Sequence, residues 1–281
     1  WQVTRSEFDP RLVADLKEQV RKSPEDGALF RRLVGLYRRH SSLDELQAEL
    51  SERAQRSRES TALYLTEQVA RERGQWEEAG KLLEQAVQKG LDEAKAALLL
   101  SELAQKKNPP DIAEARKQLG RALVQLRPSD ARRRPALRRQ IDLSIQAGDT
   151  QAAEAQLREL AKSATGAEAS RLSQELAELL SRANKPKEAL AEFRALADKQ
   201  SGESKAQSLL RVGELEESLH DDNAAIATYR QAQNVLSPGH HLQREVSEHL
   251  ISLSRKRDEL PQFVKQFEAD HPQAQRSFSD W

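Results

Sequence analysis

Apolar residues along this chain recur at helical spacing. Leu172, Leu176, Leu179, Leu180 and Ala183 fall on one face of a helix, and comparable stripes run through most of the sequence. No stretch sustains the apolar–polar alternation of a half-buried strand. The 11 Gly and 10 Pro fall mostly between segments rich in Ala, Leu, Glu, Gln, Lys and Arg, the residues that lose least on entering a helix. The pattern predicts an all-α fold.

Aligning the apolar faces exposes a repeat. Ala79, Ala115, Ala153, Ala189 and Ala225 follow one another at intervals of 36, 38, 36 and 36 residues. Four residues after each come Leu83, Leu119, Leu157, Phe193 and Tyr229; three beyond those come Ala86, Ala122, Leu160, Leu196 and Ala232. Small, large and apolar at i, i+4 and i+7 form one stripe, and the leading small residue lets a neighbouring helix approach closely. A period of 36 to 38 residues is about two helices and two turns, the signature of a stacked helical array.

Coarse helix pairs follow: 28–40 with 43–56, 60–73 with 76–88, 93–106 with 111–126, 131–147 with 150–163, 167–183 with 186–199, 204–219 with 222–236, and 241–255 with 258–269. Ser42 with Glu45, and Thr165 with Glu168, have capping-box spacing, and Pro110 before Asp111 punctuates another start. The expected organisation is a partial repeat over 1–26, with Phe8 to Val20 as the second helix of a preceding unit, then about seven helix pairs over 27–272. Residues 273–281, ending at Trp281, start a further unit or form a tail. Neither end reads as a polar cap and no Met opens the chain, so the expectation is a fragment of a longer repeat protein, able to self-associate through its uncapped ends.

The pattern resembles the tetratricopeptide repeat family, in divergent units. In LLRVGELEESLHDDNAAIATYRQAQNVLSPG, Leu209, Val212 and Gly213 match the first-helix core and small positions, Ala225, Tyr229 and Ala232 the second-helix positions, and Pro238 the closing turn. Gly74, Ala79, Leu83 and Ala86 give a second match. Ser101 and Ala177 also supply a small first-helix residue, whereas Glu67 and Ile141 stand at that site elsewhere, and Asn108, Pro109 and Pro110 lengthen one turn. The resemblance implies a right-handed α-solenoid. It also implies a concave groove lined by first helices, with one ladder at Arg31, Tyr64, Leu98, Arg138, Gln174 and Leu210 and another at Gly35, Gln68, Glu102, Asp142, Glu178 and Glu214. The candidate partner-binding residues are Arg31, Tyr64, Gln68, Leu98, Glu102, Arg138, Asp142, Glu178 and Glu214. Four successive carboxylates in the second ladder make a negative strip, partly countered by Arg138 and Arg139, and imply a partner of basic character. The family's carboxylate clamp requires Lys, Arg and Asn at these places; the asparagines are missing and much of the charge is reversed, so a chaperone-tail adaptor is disfavoured.

Composition narrows the chemistry. The chain has 281 residues, 45 Lys+Arg against 45 Asp+Glu, 37% apolar and 4% aromatic residues, which suits a thin core under a heavily charged surface. Residues 1–140 carry 28 basic and 22 acidic side chains, and 141–281 carry 17 and 23, so the halves are +6 and −6. No run of about 18 apolar residues is present, and no membrane insertion is expected. Without Cys there is no disulfide, thiol nucleophile or thiolate metal site. His40, His220, His240, His241, His249 and His271 show no recognised ligand spacing, and there is no HExxH, GxSxG or phosphate-cradling loop. Neither an enzyme nor a cofactor or metal is therefore expected. Two basic clusters stand out, Arg31, Arg32, Arg38 and Arg39, and Arg132, Arg133, Arg134, Arg138 and Arg139. They suit an acidic protein partner or a solvated face better than nucleic acid, because the aromatic residues are not interleaved with the arginines as stacking platforms would require. The expected function is a non-catalytic scaffold holding a protein or peptide segment in its groove; the competing reading is an architectural spacer of a larger enzyme or envelope complex, with no groove ligand.

Overall fold

The structure is a computed structural model that describes residues 9–40, 42–57, 59–237 and 239–270. The turn at Pro238, Phe8, and the segment 273–281 with Trp281 lie outside the described residues, as does His271. All regular elements among the described residues are α-helices, and the chain divides into two compact units, Trp1–Asp149 and Thr150–Trp281. The first unit holds α1 (Pro10–Lys22), α2 (Gly27–His40), α3 (Leu43–Ser57), α4 (Ser60–Glu72), α5 (Trp76–Gln88), α6 (Glu93–Lys106), α7 (Ile112–Gln125) and α8 (Arg133–Gln146). The second holds α9 (Thr150–Lys162), α10 (Gly166–Arg182), α11 (Pro186–Lys199), α12 (Gly202–Ser218), α13 (Asp222–Val235), α14 (His241–Lys256) and α15 (Leu260–Asp270). None is long and apolar enough to cross a membrane among the described residues.

The repeat register governs packing in both units. Ala79, Ala115, Ala153, Ala189 and Ala225 are each 0% exposed, and the large residues four positions on, Leu83, Leu119, Leu157, Phe193 and Tyr229, are buried with them. Gly213 shows why a first helix carries a small residue at this site: a Cβ there would lie 2.4 Å from the Tyr229 ring. Tyr229 is in turn fixed at its polar end. Its hydroxyl donates to Glu217, whose Oε1 lies 2.9 Å from His249 Nδ1, and the Tyr229 and His249 rings stack with centroids 4.8 Å apart. A buried phenol that finds a partner for its hydroxyl adds packing area without leaving a polar group stranded, and this one ties α12, α13 and α14 together.

The turns repeat as regularly as the core. After α4, Gly74 N–H donates to Arg71 O and Gln75 N–H to Ala70 O, both at 2.9 Å, the paired bonds of a Schellman stop. The longer bond recurs from Asp149 to Ser144, Lys185 to Leu180, Asp221 to Glu216 and Glu259 to Ser254, at 2.9 to 3.0 Å. The left-handed residue in these turns is Gly74, Gly148, Asn184, His220 or Asp258. Between α6 and α7 the inserted prolines replace this turn with a longer one, closed by Asp111 N–H donating to Ala104 O at 2.9 Å. Helix starts use short acceptors: Asp92, Asp111 and Asp221 accept from the amides of Lys95, Glu114 and Ala224 at 2.8, 3.0 and 3.1 Å. Ser42 Oγ likewise accepts from Glu45 N at 3.3 Å, as its spacing predicts, but Thr165 occupies the N-cap of α10 without making a side-chain cap bond.

These contacts set the response to substitution. Gly213→Ala and Ala225→Leu should each lower stability by about 1 to 3 kcal/mol through overpacking. Gly35, whose Cβ position has nothing within 4 Å, should accept Ala with unchanged or higher stability, up to about 1 kcal/mol, because Ala is the better helix former. Urea denaturation of the three variants checks the register; equal losses at Gly35 and Gly213 would refute it.

Candidate functional site

The first helices of the hairpins carry the candidate residues, and each unit presents its own share. In the second unit, α10, α11 and α12 enclose a concavity of about 660 Å³ whose lining includes Glu178, Arg182, Phe193, Arg211, Glu214 and Leu215. Glu178 and Glu214 thus line one depression together with the apolar Phe193 and Leu215. Neither carboxylate stands alone. Arg182 Nη2 lies 3.4 Å from Glu178 Oε2, Gln174 Nε2 donates to Glu178 Oε1 at 3.1 Å, and Arg211 Nη1 donates to Glu214 Oε2 at 2.7 Å. These partners sit three or four residues away on the same helix, where one turn places them side by side.

In the first unit the same slots are also paired. Glu102 accepts from Arg139 Nη1 at 2.9 Å and lies 3.8 Å from Arg71 Nη1, while Asp142 lies 3.2 Å from Arg138 Nη2. Arg71 further reaches the fully buried Glu67, joining α4, α6 and α8 through one ionic network. The expected negative strip is therefore, residue by residue, a row of neutralised pairs. Tyr64 and Gln68 are buried: Lys95 Nζ sits 3.8 Å from the Tyr64 ring centroid, and Gln68 Nε2 donates to Pro24 O at 3.0 Å. Leu98 is half-buried against the core of α6, α7 and α8. Arg31 is exposed on α2. The sequence pattern named Glu178 and Glu214 as candidates but not their arginine partners, although the i, i+3 and i, i+4 spacings to Arg211 and Arg182 were readable signals.

A further group was only partly visible in the sequence, because Glu203 lies far along the chain from the adjacent His240 and His241. Glu203, His240 and His241 bring one ligand atom each within 4.8 Å of one another. His240 Nδ1, however, accepts from Leu242 N at 3.3 Å to cap α14, which in the neutral ring leaves the proton on Nε2, 3.5 Å from Glu203 Oε2. Both nitrogens are thereby occupied, and the arrangement is that of a capped helix start.

No protein-family model and no curated protein matches the chain. Its fold does match solved structures. The structure of Naa15/Naa10 bound to HypK-THB shares a TM-score of 0.56 at 16% identity, covering 94% of this chain and 39% of that one. A tetratricopeptide repeat protein from Parabacteroides merdae covers 86% of this chain and 91% of its own at 17% identity and a TM-score of 0.38. A putative kinesin light chain from Podosopora anserina with nearly identical TPR-like repeats covers 60% and 90%, at 19% identity and a TM-score of 0.41. The likeness is one of fold: stacked helical hairpins.

Glu67 supplies a test of the network. Its Oε1 is 3.0 Å from Arg71 Nε, yet neither carboxylate oxygen has a well-directed hydrogen bond. Burial pushes its carboxyl up to about 7, opposed by Arg71 and Lys95 and reinforced by Glu102. The folded protein then binds more protons than the unfolded chain between the ordinary Glu value and about 7. Stability should be highest below that window and fall as pH rises through it, by up to about 3 kcal/mol. Glu67→Gln should remove that slope and raise stability at pH 8, measured by urea denaturation at pH 5 and 8; an unchanged slope would show that Glu67 is ionised throughout.

Proposed function

We propose that this chain is a non-catalytic scaffold that holds an extended segment of another protein against the first helices of its repeats. The concavity carrying Glu178 and Glu214 together with Phe193 and Leu215 supports this reading most directly. It combines apolar area with two carboxylates whose partners, Arg182 and Arg211, are themselves solvent-exposed and held by single-helix pairs. Such pairs contribute about 0 to 1 kcal/mol, so a partner's Lys or Arg can take the place of either arginine at little cost. Glu102 and Asp142 offer the same exchange in the first unit, with Arg138 and Leu98 on the same helices, while Tyr64 and Gln68 shape the wall from within. Groove contacts of this kind give affinity through area and selectivity through charge.

A spacer without a groove ligand is favoured by a different observation: every ladder carboxylate already has an internal partner. Reversal of the groove charge separates the two readings. Glu178→Lys with Glu214→Lys should weaken binding of a Lys/Arg-rich peptide by about tenfold, with a smaller salt dependence, while helix content stays unchanged. Glu178→Gln with Glu214→Gln, which introduces no repulsion toward Arg182 and Arg211, should weaken it less. Fluorescence anisotropy reads both; unchanged affinity in both double variants would leave the spacer reading standing.

A further inference from the structure

The structure separates the two basic clusters of the sequence. The cluster opening α8 is consumed internally. Arg132 pairs with Asp130 and Asp92, Arg133 donates to the carbonyls of Leu123 and Leu126, Arg138 pairs with Asp142, and Arg139 with Glu102. The cluster on α2 is different. Arg38 pairs with Glu72 at 2.7 Å, but Arg31, Arg32 and Arg39 are exposed and have no hydrogen bond or ion pair to any described residue. At 100° per residue, positions 31, 32, 35, 38 and 39 fall within a sector of about 120°, opposite the buried Phe30, Leu33, Leu36 and Tyr37. Three guanidinium groups with no hydrogen-bond or ion-pair partner among the described residues thus share one solvent face of one helix. In a chain of zero net charge, this concentrates positive potential at one place.

A second observation comes from the middle of that sector. Gly35 is an interior helical residue, where Gly is disfavoured, and the space its Cβ would fill is empty. Gly213 is explained by the Tyr229 ring pressed against it; Gly35 has no such neighbour among the described residues. A glycine flanked by free arginines is what close approach of another backbone needs, with carboxylates reaching the guanidiniums on either side.

We infer that the α2 face formed by Arg31, Arg32, Gly35 and Arg39 docks an acidic protein segment, an Asp/Glu-rich strand laid across the glycine. Nucleic acid is the poorer fit, because the aromatic residues of α2, Phe30 and Tyr37, are buried on the opposite side and offer no stacking surface. The surface shares no residue with the concavity of Glu178 and Glu214, and its opposite charge preference lets the two readings fail independently.

The test uses the whole chain and a fluorescent Asp/Glu-rich peptide. Arg31→Glu, Arg32→Glu and Arg39→Glu together should lower its affinity at least tenfold. The same number of reversals at the exposed Arg127, Arg171 and Arg255 should change it less than twofold. Gly35→Leu should also weaken binding while leaving the melting temperature unchanged or higher. The inference is overturned if the wild-type chain does not bind the peptide, if the α2 and control triples lose affinity equally, or if Gly35→Leu binds as tightly as wild type. Single-stranded RNA binding more tightly than the peptide, in a manner abolished by the α2 triple, would equally overturn it. Throughout, the groove variant with Glu178 and Glu214 changed to Lys should bind the acidic peptide as wild type does; loss there would assign the acidic ligand to the other unit and overturn the inference too.

Discussion

Everything in this fold depends on how closely two helices of a hairpin can approach. At Gly213 the distance is set by the Tyr229 ring, and no side chain larger than hydrogen fits without displacement. On the opposing helices the small slot is Ala at five successive places, each with no exposed surface. Once these slots are small, the large residue four positions later can reach the neighbouring helix and the hairpin buries a continuous apolar face. This is how a chain with only 37% apolar residues builds a core. It uses few large side chains, but places them where the backbone leaves no void.

The charged residues follow the same period. Arg38 meets Glu72, Arg158 meets Glu192 and Lys256 meets Asp222, in each case 34 residues apart, and Arg116 meets Asp149 at a separation of 33. An ion pair that spans one repeat joins equivalent positions of neighbouring hairpins within a unit. Individually such exposed pairs contribute little. Collectively they let a chain that is 32% charged keep its helices adjacent without like-charge repulsion.

The alanine column was legible because size at a packed position leaves a direct mark on sequence: the small, large, apolar triplet repeats whatever else changes. Helix limits were legible to within a few residues, since Ser42 and Asp111 mark starts in the sequence and accept from the amides of Glu45 and Glu114 in the structure. The turn slot was only half legible. Gly74 and Gly148 announce a left-handed residue, but Asn184, His220 and Asp258 hold the same conformation with less revealing side chains. Thr165 failed in the opposite sense, for capping-box spacing does not oblige the hydroxyl to turn back onto the amides. Site residues were hardest. A ladder reads off which positions share a face, but not whether Tyr64 is covered by Lys95 or Gln68 is drawn inward by the Pro24 carbonyl. Those outcomes depend on side chains from other helices.

Glu67 shows how fold and surface constrain each other. It occupies the first-helix slot that is Gly213 in another unit, so the backbone geometry that favours a small residue there encloses a carboxyl instead. The burial cost is reduced by Arg71, which is shared with Glu102, and Glu102 is in turn held by Arg139 from α8. A compromise in the packing column is therefore tied to the arrangement of charges on helices two and four places further along the chain. By contrast, Arg31, Arg32 and Arg39 answer to no such demand from the interior, because the residues beneath them on α2 are apolar and already packed. Where the core does not dictate the charge pattern, charge is left available to act outside the molecule, and that separates the structural arginines of this chain from those that can serve recognition.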